Sequence, residues 1–179
     1  PRKLLTMVTK SNAQRHGMVM WDEIFDVVKV DYPDVQTDRM LVDAMTTRMV
    51  LDPKSLDTIV ATNLHADILS DLAAALSGSM GIAPTANLRP EKDFPSMFEP
   101  IHGSAFDIMG QGIANPIGAF WSASMMLEDL GEYPAAARLI AAIERVTAAG
   151  RVMPRDLGGE ATTRQVTDAV IEALRSAND

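Results

Sequence analysis

The 179-residue sequence predicts an α/β fold in which a mixed sheet is flanked by helices. Residues 4–9 and 56–61 are short, apolar, β-prone runs, and a segment with helical periodicity follows each of them. This alternation of strands and helices is typical of α/β proteins. The third observation is the loop of residues 103–115, which contains glycines at three positions and is long enough to indicate a functional connection.

The composition excludes several kinds of function. The chain contains 47% apolar and 22% charged residues, a balance typical of a globular protein outside the membrane. Its net charge of −8 argues against binding to nucleic acid or to an anionic membrane. Because the chain contains no cysteine, disulfides, thiolate zinc sites and a cysteine nucleophile are excluded. We therefore expect a cytoplasmic protein.

The first predicted strand, residues 4–9, lies almost at the start of the chain and is followed by Lys10. Because native chains rarely begin inside an element, we interpret the sequence as a portion of a longer protein. A lysine at the C-terminal end of a buried strand stands where α/β proteins place their sites, although a surface lysine in a polar turn explains the position equally well. The next segment has helical spacing and should contribute the core residues Met18, Trp21, Ile24, Phe25 and Val28.

The second predicted helix follows a break at residues 32–34. Residues 35–40 lead into it, and its apolar face is formed by Met40, Leu41, Ala44, Met45 and Met49. Methionine-rich faces adapt well to packing against another helix, within a chain or across a dimer. Asp43 stands at the start of this helix, where its interaction with the helix dipole is sufficient to explain an acidic residue.

The third predicted helix follows the strand at 56–61, with Asn63 as its candidate cap. Its apolar stripe consists of Leu64, Ile68, Leu72 and Leu76. Asp67 and Asp71 are one helical turn apart, and two bare carboxylates in this relation repel each other by about 0.2–0.5 kcal/mol. A divalent cation bound between them would replace this repulsion by attraction of both carboxylates to the cation. Carboxylate oxygens are ligands that suit Mg²⁺ or Mn²⁺. A solvated acidic face is the alternative interpretation.

The glycine-containing loop follows a segment with weak strand signals. Residues 82–88 favour a strand that Pro84 interrupts, and residues 96–102 lead into the loop. The loop has a histidine at its mouth, and its glycines permit close approach of the backbone to a ligand. It does not contain the GxGxxG pattern of a standard Rossmann fingerprint. A surface connection without function is the alternative.

Three helices are predicted after the loop. The first, residues 116–130, begins with a proline at its favoured first position and is ended by a glycine. The second, residues 133–149, should bury Ala137, Leu139, Ile140 and Ile143. A capping box of Thr162 and Gln165 should begin the third helix. That helix should bury Val166, Val170, Ile171 and Leu174, and its end at residues 176–179 should fray.

Three stretches of the sequence resemble the β-decarboxylating dehydrogenases of 2-hydroxy acids, the isocitrate and isopropylmalate dehydrogenase family. They are residues 8–12 (VTKSN), 63–71 (NLHADILSD) and 98–116 (FEPIHGSAFDIMGQGIANP), and the last is long and highly specific. The resemblance covers nearly the whole chain, corresponds to the C-terminal half of such an enzyme, and looks closest to the tartrate and D-malate dehydrogenase branch. It implies an isopropylmalate-dehydrogenase-like fold, of which this chain holds part, with a helical dimer-interface element.

The resemblance implies roles for residues at matching positions. Asp67 and Asp71 would bind Mg²⁺ or Mn²⁺, and Asp43 would complete the metal site from the neighbouring subunit of a homodimer. Asp43 and Lys10 are the two residues expected to be catalytic. Lys10 would also reach into the partner's active site, where it would transfer the proton of the substrate hydroxyl. The residues expected to bind NAD are Asn12, His102, Gly103, Ser104, Ala105, Asp107, Ile108 and Asn115. Asp107 would accept hydrogen bonds from the adenosine ribose, which favours NAD⁺ because a 2′-phosphate would be repelled.

The implied reaction is the metal-dependent, NAD-linked oxidative decarboxylation of a 2-hydroxy dicarboxylic acid of the tartrate or D-malate type. Phe106 departs from the proline that many isopropylmalate-type members have. The arginines that hold substrate carboxylates and the catalytic tyrosine lie upstream in this family, so we expect this chain alone to be inactive. Residues 1–77 would belong to the smaller, dimer-forming and substrate-binding domain, and residues 78–179 to the large dinucleotide-binding domain, both incomplete.

Other functions stay open at this point. The chain could belong to a 3-isopropylmalate dehydrogenase, or to an inactive fragment or non-catalytic module for oligomerisation or binding. A phosphoryl-transfer enzyme using the two aspartates is disfavoured because the sequence lacks a phosphate-binding Lys-Ser/Thr loop. For the dimer, we expect the apolar faces of the helices near 40–50 and 64–76 to pack with their copies around a two-fold axis, so that Met45→Glu should weaken dimerisation.

Overall fold

The computed structural model describes residues 2–176, which form two compact units that divide between Leu76 and Ser77. The first unit contains β1 (Leu4–Thr9), α1 (Gly17–Val28), β2 (Gln36–Leu41), α2 (Val42–Leu51), β3 (Thr58–Val60) and α3 (Asn63–Leu76). The second contains β4 (Pro84–Asn87), β5 (Met97–Pro100), α4 (Ile117–Asp129), α5 (Tyr133–Ala149) and α6 (Thr163–Arg175). Short 3₁₀ helices lie at Lys29–Asp31, Pro53–Ser55, Met80–Ile82 and Arg155–Leu157.

The predicted α/β class is confirmed, and the strands of the described residues lie in a parallel and an antiparallel sheet, one in each unit. The domain roles given above to residues 1–77 and 78–179 stay predictions. The expected fraying of the C-terminus concerns mainly residues 177–179, which lie outside the described part.

Strand β1 lies at the centre of the first unit's parallel sheet, whose order is β2-β1-β3. Its bounds agree with the predicted strand, whereas β3 is shorter than the run at 56–61 suggests. Thr9 at the end of β1 is opposite Leu41 at the end of β2. The carboxyl ends of parallel strands meet at one edge of a sheet, so the residues that follow β1 and β2 come close together.

The core of the first unit lies on one face of this sheet. Val8 of β1 packs with Met45 and Met49 of α2 and with Leu69 of α3, and all four side chains are buried. The expectation that Met45 lies on a face open to a second copy is therefore wrong, because Met45 is 0% exposed within its own chain. A glutamate at this position would bury an unpaired charge, so the substitution would test folding and not dimerisation.

Strand β2 was not predicted from the sequence. The sequence pattern assigns residues 35–40 to a connection and Leu41 to a helix, whereas residues 36–41 form a strand. Among the described strands β2 pairs only with β1, so it is an edge strand and tolerates polar side chains. One of them, Arg39, lies 2.7 Å from Asp26 of α1 and joins the strand to that helix by an ion pair. This polar edge position explains the weak hydrophobic signal.

Helix α1 buries less of its apolar side than its periodicity predicts. Only Met18 of the five expected core residues is buried, while Ile24 is 50% and Val28 is 47% exposed. Together with Leu5 and Val60 of the sheet, Ile24 and Val28 line an apolar cavity of about 380 Å³. The helical spacing correctly identified the apolar side of α1, but the described first unit leaves Ile24 and Val28 about half exposed.

The second unit is built from a β-hairpin and three helices. Strands β4 and β5 pair antiparallel, and α4 packs against both. Helices α4, α5 and α6 pack in succession around Ile117, Ile143 and Val166. None of the described helices is both long and apolar enough to cross a membrane.

The predictions for the last two helices are largely confirmed. Helix α5 ends at Gly150, whose φ of 63° is left-handed and suits glycine, and the capping box of Thr162 and Gln165 begins α6. Ala137 is exposed, contrary to expectation, because the neighbouring Ala136 occupies the buried position. Ile171 lies at the margin of the core and is 39% exposed.

Candidate functional site

An ion pair joins the two residues that were predicted to be catalytic. Lys10 follows β1, Asp43 lies in the first turn of α2, and Lys10 Nζ donates a hydrogen bond to Asp43 Oδ1 at 2.5 Å. The lysine side chain is 26% exposed and the aspartate side chain 64% exposed. The parallel register of β1 and β2 brings the two residues together, because both strands end at the same edge of the sheet.

The pKa of the Asp43 carboxyl lies below its ordinary value. The main cause is the hydrogen bond from the Lys10 ammonium group, and backbone N–H groups at the start of α2 add to it. Desolvation acts in the opposite direction but is outweighed. Asp43 is therefore fully ionised at neutral pH and can bind a cation.

Asp67 and Asp71, the acidic pair, lie on a side of α3 that the chain leaves open. Asp67 is exposed and Asp71 half-buried. The neighbouring apolar stripe is open too, with Leu64 63%, Ile68 54% and Leu76 50% exposed. The side of α3 that faces the core carries His65, Leu69 and Ala74. Of the predicted stripe, only Leu72 is half-buried and packs against the core of the first unit, whereas the other three residues stay open. Asn63 was the candidate cap of this helix, but in the structure it is the first residue of the helix itself.

Within the described residues the acidic pair does not meet a third acidic ligand. Among residues 2–176, no three His, Asp or Glu side chains come together in a way that could hold a metal ion. Asp43 pairs with Lys10 in this single chain. Two aspartates on one helix supply hard oxygen ligands of the kind that Mg²⁺ and Mn²⁺ prefer, so the chemistry of the pair fits a divalent cation. The described residues of one chain therefore do not bring the three predicted metal ligands together.

Asn12 lies in the turn that follows β1. The turn is closed by the N–H groups of Ala13 and Gln14, which donate to Lys10 O at 2.9 and 2.8 Å. Asn12 is exposed there. It belongs to the first unit, whereas the other residues predicted to bind NAD belong to the second.

The predicted nucleotide-binding residues of the second unit surround one cavity. This loop cavity has a volume of about 530 Å³ and is formed mainly by the loop of residues 102–115. The predicted residues that line it are His102, Gly103, Ser104, Ala105, Ile108 and Asn115. Asp107 is exposed and is not among the lining residues, and its backbone carbonyl accepts a hydrogen bond from Gln111 Nε2 at 2.7 Å.

The backbone conformation of the loop explains why glycine stands at positions 110 and 112, but it does not explain the glycine at position 103. Gly110 and Gly112 have φ values of +77° and +68°, which side chains rarely adopt. Gly103 has no such φ, and a Cβ atom added to it would meet no atom within 4 Å. Neither the backbone conformation nor internal packing therefore requires a glycine at position 103. Open space beside a bare backbone fits close approach by a planar or phosphorylated ligand such as a dinucleotide.

Five residues from outside the loop, which the sequence did not assign to the site, also line the loop cavity. They are Ser79, Met80, Gly81, Arg155 and Asp156. Asp156 Oδ2 accepts hydrogen bonds from Asn115 Nδ2 at 2.9 Å and from the Ser79 hydroxyl. In the sequence these residues lie in a break before β4 and in the segment 151–157, and no spacing connects either segment with the loop. Only the packing of the second unit brings them together.

Comparisons with known proteins point to one family. A family model described as isocitrate/isopropylmalate dehydrogenase matches residues 1–170. A probable tartrate dehydrogenase/decarboxylase of Agrobacterium vitis is 71% identical over 178 residues, which cover 99% of this chain and 49% of that protein. The D-malate dehydrogenase [decarboxylating] of Escherichia coli K12 is 47% identical, with 97% of this chain and 49% of that protein covered.

A solved structure agrees with these relatives. The isocitrate dehydrogenase of Methylococcus capsulatus superposes with a TM-score of 0.91 at 39% identity, covering 97% of this chain and 51% of that chain. The chain thus spans about half the length of the curated relatives that it matches.

Proposed function

Because the chain belongs to the isocitrate/isopropylmalate dehydrogenase family, we propose that it forms part of a metal-dependent, NAD-linked enzyme. Its reaction would be the oxidative decarboxylation of a 2-hydroxy dicarboxylic acid of the tartrate or D-malate type. The names of the relatives at 71% and 47% identity support this substrate class. The activity belongs to the whole protein, of which this chain corresponds to about half.

The observation that carries the proposal is the ion pair of Lys10 and Asp43. A proton-transferring group and an anionic ligand are held 2.5 Å apart at the carboxyl edge of a parallel sheet. This is the edge at which α/β proteins assemble their sites. The aspartate has no packing role there, since its side chain is 64% exposed.

Lys10 would exchange a proton with the substrate hydroxyl. For this step Nζ would have to be a neutral amine, its extra proton having passed to solvent, and it would then take the hydroxyl proton while a hydride leaves C2 of the substrate, so that the carbon–oxygen bond becomes a carbonyl. The carbon–carbon bond to the β-carboxylate then breaks and CO₂ is released. The electron pair of that bond stays on the substrate as an enolate, which a proton converts to the ketone. NAD⁺, when bound, accepts the hydride. Partial burial of the lysine at 26% exposure limits the access of bulk water to the transferred proton.

Asp67, Asp71 and Asp43 are the residues that would hold the divalent cation. A bound cation there would neutralise charge and lower the pKa of a substrate hydroxyl beside it. The hydrogen bond from Lys10 keeps Asp43 ionised, which suits a metal ligand. Since the described part of one chain gathers no three such ligands, the proposal takes Asp43 and Lys10 from one subunit and the acidic pair from its partner.

The open side of α3 supports a homodimer of this kind. At 3.6 residues per turn, positions 64, 67, 68 and 71 fall within about 100° of one another around the helix axis. The acidic pair therefore shares a face with Leu64 and Ile68, which are 63% and 54% exposed. A second copy that covers these apolar residues would also bring its own side chains to the acidic pair. Dimerisation and completion of the metal site would then be a single event.

The loop cavity would hold the adenosine part of NAD. His102, Ser104 and Asn115 offer polar groups around it, and the open backbone at Gly103 permits close approach. Asp107 stays the proposed acceptor for the ribose hydroxyls, although its side chain does not line the cavity in the described structure. Its negative charge would favour NAD⁺ over NADP⁺.

The test is a substrate and cofactor profile of the purified full-length protein. D-malate, the tartrate stereoisomers and 3-isopropylmalate would each be assayed with Mg²⁺ or Mn²⁺ and with NAD⁺ or NADP⁺, and both reduced cofactor and CO₂ would be measured. We expect the highest kcat/KM for D-malate or a tartrate with NAD⁺, and no activity after chelation of the metal.

Four results would contradict parts of the proposal. Higher kcat/KM with NADP⁺ would remove the role given to Asp107. Higher kcat/KM for 3-isopropylmalate would favour isopropylmalate dehydrogenase, and no turnover of any 2-hydroxy acid would favour a binding or oligomerisation module. Turnover of D-malate or tartrate by the 179-residue chain alone would contradict the expected need for the rest of the enzyme.

A further inference from the structure

Asp156 connects three separate segments of the second unit. Its Oδ2 accepts a hydrogen bond from Asn115 Nδ2 at 2.9 Å and a short one from the Ser79 hydroxyl. Ser79 precedes the 3₁₀ helix Met80–Ile82, Asn115 ends the loop of residues 102–115, and Asp156 lies in the 3₁₀ helix Arg155–Leu157. Hydrogen bonds to a charged acceptor contribute more than those between neutral groups, so this carboxylate is a strong connection between the segments.

The carboxylate also determines the orientation of the Asn115 amide. Asn115 Oδ1 accepts a hydrogen bond from Ile117 N at 3.0 Å, at the start of α4. The amide therefore has a carboxylate oxygen on one side and a backbone N–H group on the other. A flipped amide would point its oxygen at the carboxylate and its NH₂ group at the N–H donor, and both contacts would be repulsive. Only one orientation of Asn115 is compatible with Asp156.

Gly81 fits this arrangement because it lacks a side chain. A Cβ atom at position 81 would lie 2.5 Å from Asp156 Oδ2 and 2.9 Å from Asn115 Cβ. The Gly81 N–H group donates to the Ser79 hydroxyl oxygen at 2.9 Å, while that hydroxyl donates to Asp156. The Ser79 hydroxyl and both ends of the Asn115 amide thus have defined partners, and Asp156 Oδ2 is the acceptor that the two side chains share.

All four residues of this network line the loop cavity. Ser79, Gly81, Asn115 and Asp156 form part of its wall, and His102 and Ser104 lie elsewhere around the same cavity. We infer that Asp156 is a positioning residue of the dinucleotide site, which holds Asn115 and the Ser79 segment in the shape that the adenosine part of NAD requires. This inference rests on the proposed function.

The experiment measures NAD⁺ binding and steady-state kinetics of the full-length protein with Asp156→Ala. We expect the Kd and KM for NAD⁺ to rise about tenfold, which corresponds to about 1.4 kcal/mol. The kcat and the KM for the 2-hydroxy acid should stay within about twofold, because the carboxylate acts on cofactor binding and not on the reacting atoms. A general loss of structure would instead lower kcat and raise both KM values.

Two further variants separate positioning from folding. Asp156→Asn keeps an acceptor oxygen for Ser79 and Asn115 and should recover most of the affinity for NAD⁺. Asp168→Asn is the matched control, because Asp168 lies exposed on α6 and pairs only with Arg164 at 3.6 Å in the described structure. Its affinity for NAD⁺ should not change. If Asp156→Ala fails to fold, Ser79→Ala tests the positioning role instead. This variant removes one of the two donors to Asp156, so it should raise the KM for NAD⁺ by less than the tenfold expected for Asp156→Ala.

The outcomes distinguish this inference from the proposed function. If the unmodified full-length protein binds no NAD⁺, both are overturned. If the unmodified protein binds NAD⁺ and the Asp156→Ala or Ser79→Ala variant that folds binds it equally well, the role of Asp156 is overturned and the proposed function stands. Equal losses in Asp156→Asn and Asp168→Asn would also overturn the positioning role, because they would reflect lost surface charge alone.

Discussion

Lys10 Nζ lies 2.5 Å from Asp43 Oδ1 at the edge of the sheet where β1 and β2 end. A second ion pair of the same length, between Lys3 and Asp34, lies near the opposite end of β1. The two lysines differ in their surroundings, because the Lys10 side chain is 26% exposed and the Lys3 side chain 63% exposed. The pairs therefore provide a matched comparison between a site residue and a surface residue.

Lys10→Met in the full-length protein should lower kcat about 10²–10⁴-fold, the range for loss of a group that transfers a proton. Methionine has a similar length but no ammonium group. Lys3→Met removes an ion pair of equal length and should leave kcat within about twofold, since exposed pairs contribute little. Steady-state kinetics of the two variants check this, and equal activity of both would remove Lys10 from the mechanism.

The pKa of Asp43 should depend on Lys10. The hydrogen bond from Lys10 lowers this pKa, so the stabilisation from the ionised carboxylate is present at neutral pH and is lost as the pH falls through the lowered value, below the ordinary 3.8. In Lys10→Met the pKa should return towards the ordinary value. An NMR titration of the Asp43 carboxyl carbon in both proteins measures the change. An identical pKa in the two would show that the ion pair does not persist in solution.

Loss of either member of the acidic pair should weaken metal binding. Residues that only orient metal ligands already change affinity about 10–100-fold, so Asp67→Asn and Asp71→Asn should each raise the Kd for Mn²⁺ at least about tenfold. Asp52→Asn is the control, because Asp52 is exposed after α2 and makes no side-chain cap hydrogen bond. Calorimetric titration with Mn²⁺ distinguishes them. Unchanged affinity in both α3 variants would contradict the proposed metal site.

Ile68→Glu should reduce dimerisation and activity together. Ile68 is 54% exposed on the face of α3 that also carries the acidic pair, and a charge there would oppose burial against a second copy. Ala66→Glu is the control on the same helix, since Ala66 is exposed and lies about 160° from Ile68 around the axis. Sedimentation of the full-length variants checks this. A stable Ile68→Glu dimer would count against this face as the interface.

Met45→Ala should destabilise the protein by about 2–5 kcal/mol, as expected for a methionine that is fully buried. Met20→Ala should cost less than about 0.5 kcal/mol, because Met20 is 58% exposed. Chemical denaturation of the full-length variants provides the comparison. Equal stability of the two would mean that α2 does not pack on β1 in solution as it does in this structure.

Several elements could be predicted because their signals are local. Strand β1 has a continuous apolar run, α5 and α6 have glycine and capping-box boundaries, and the stripe on α3 has a four-residue period. Strand β2 could not be predicted because its polar residues are stabilised by pairing with β1 and by the contact of Arg39 with Asp26, both of which are distant in the sequence. Periodicity also identified apolar faces without indicating what covers them, as Ile24 and Ile68 show.

The residues of the candidate site likewise fall into those that the sequence predicted and those that only the structure revealed. Motifs that are contiguous in the sequence identified the acidic pair on α3 and the loop around His102, since helical spacing and residue type are properties of short segments. The residues that support these motifs were found only in the structure, because Asp156 meets Asn115 across 41 positions and Ser79 across 77.

The sequence by itself determined the family and the α/β class, and it predicted which groups would carry the chemistry, because each of these depends on residue type and short-range order. The tertiary structure decided which of those groups meet. The pairing of Lys10 with Asp43 follows from the common register of two parallel strands, and the burial of Met45 follows from the packing of α2 on β1. Both depend on contacts between distant segments, whose free energy arises only when the chain is folded.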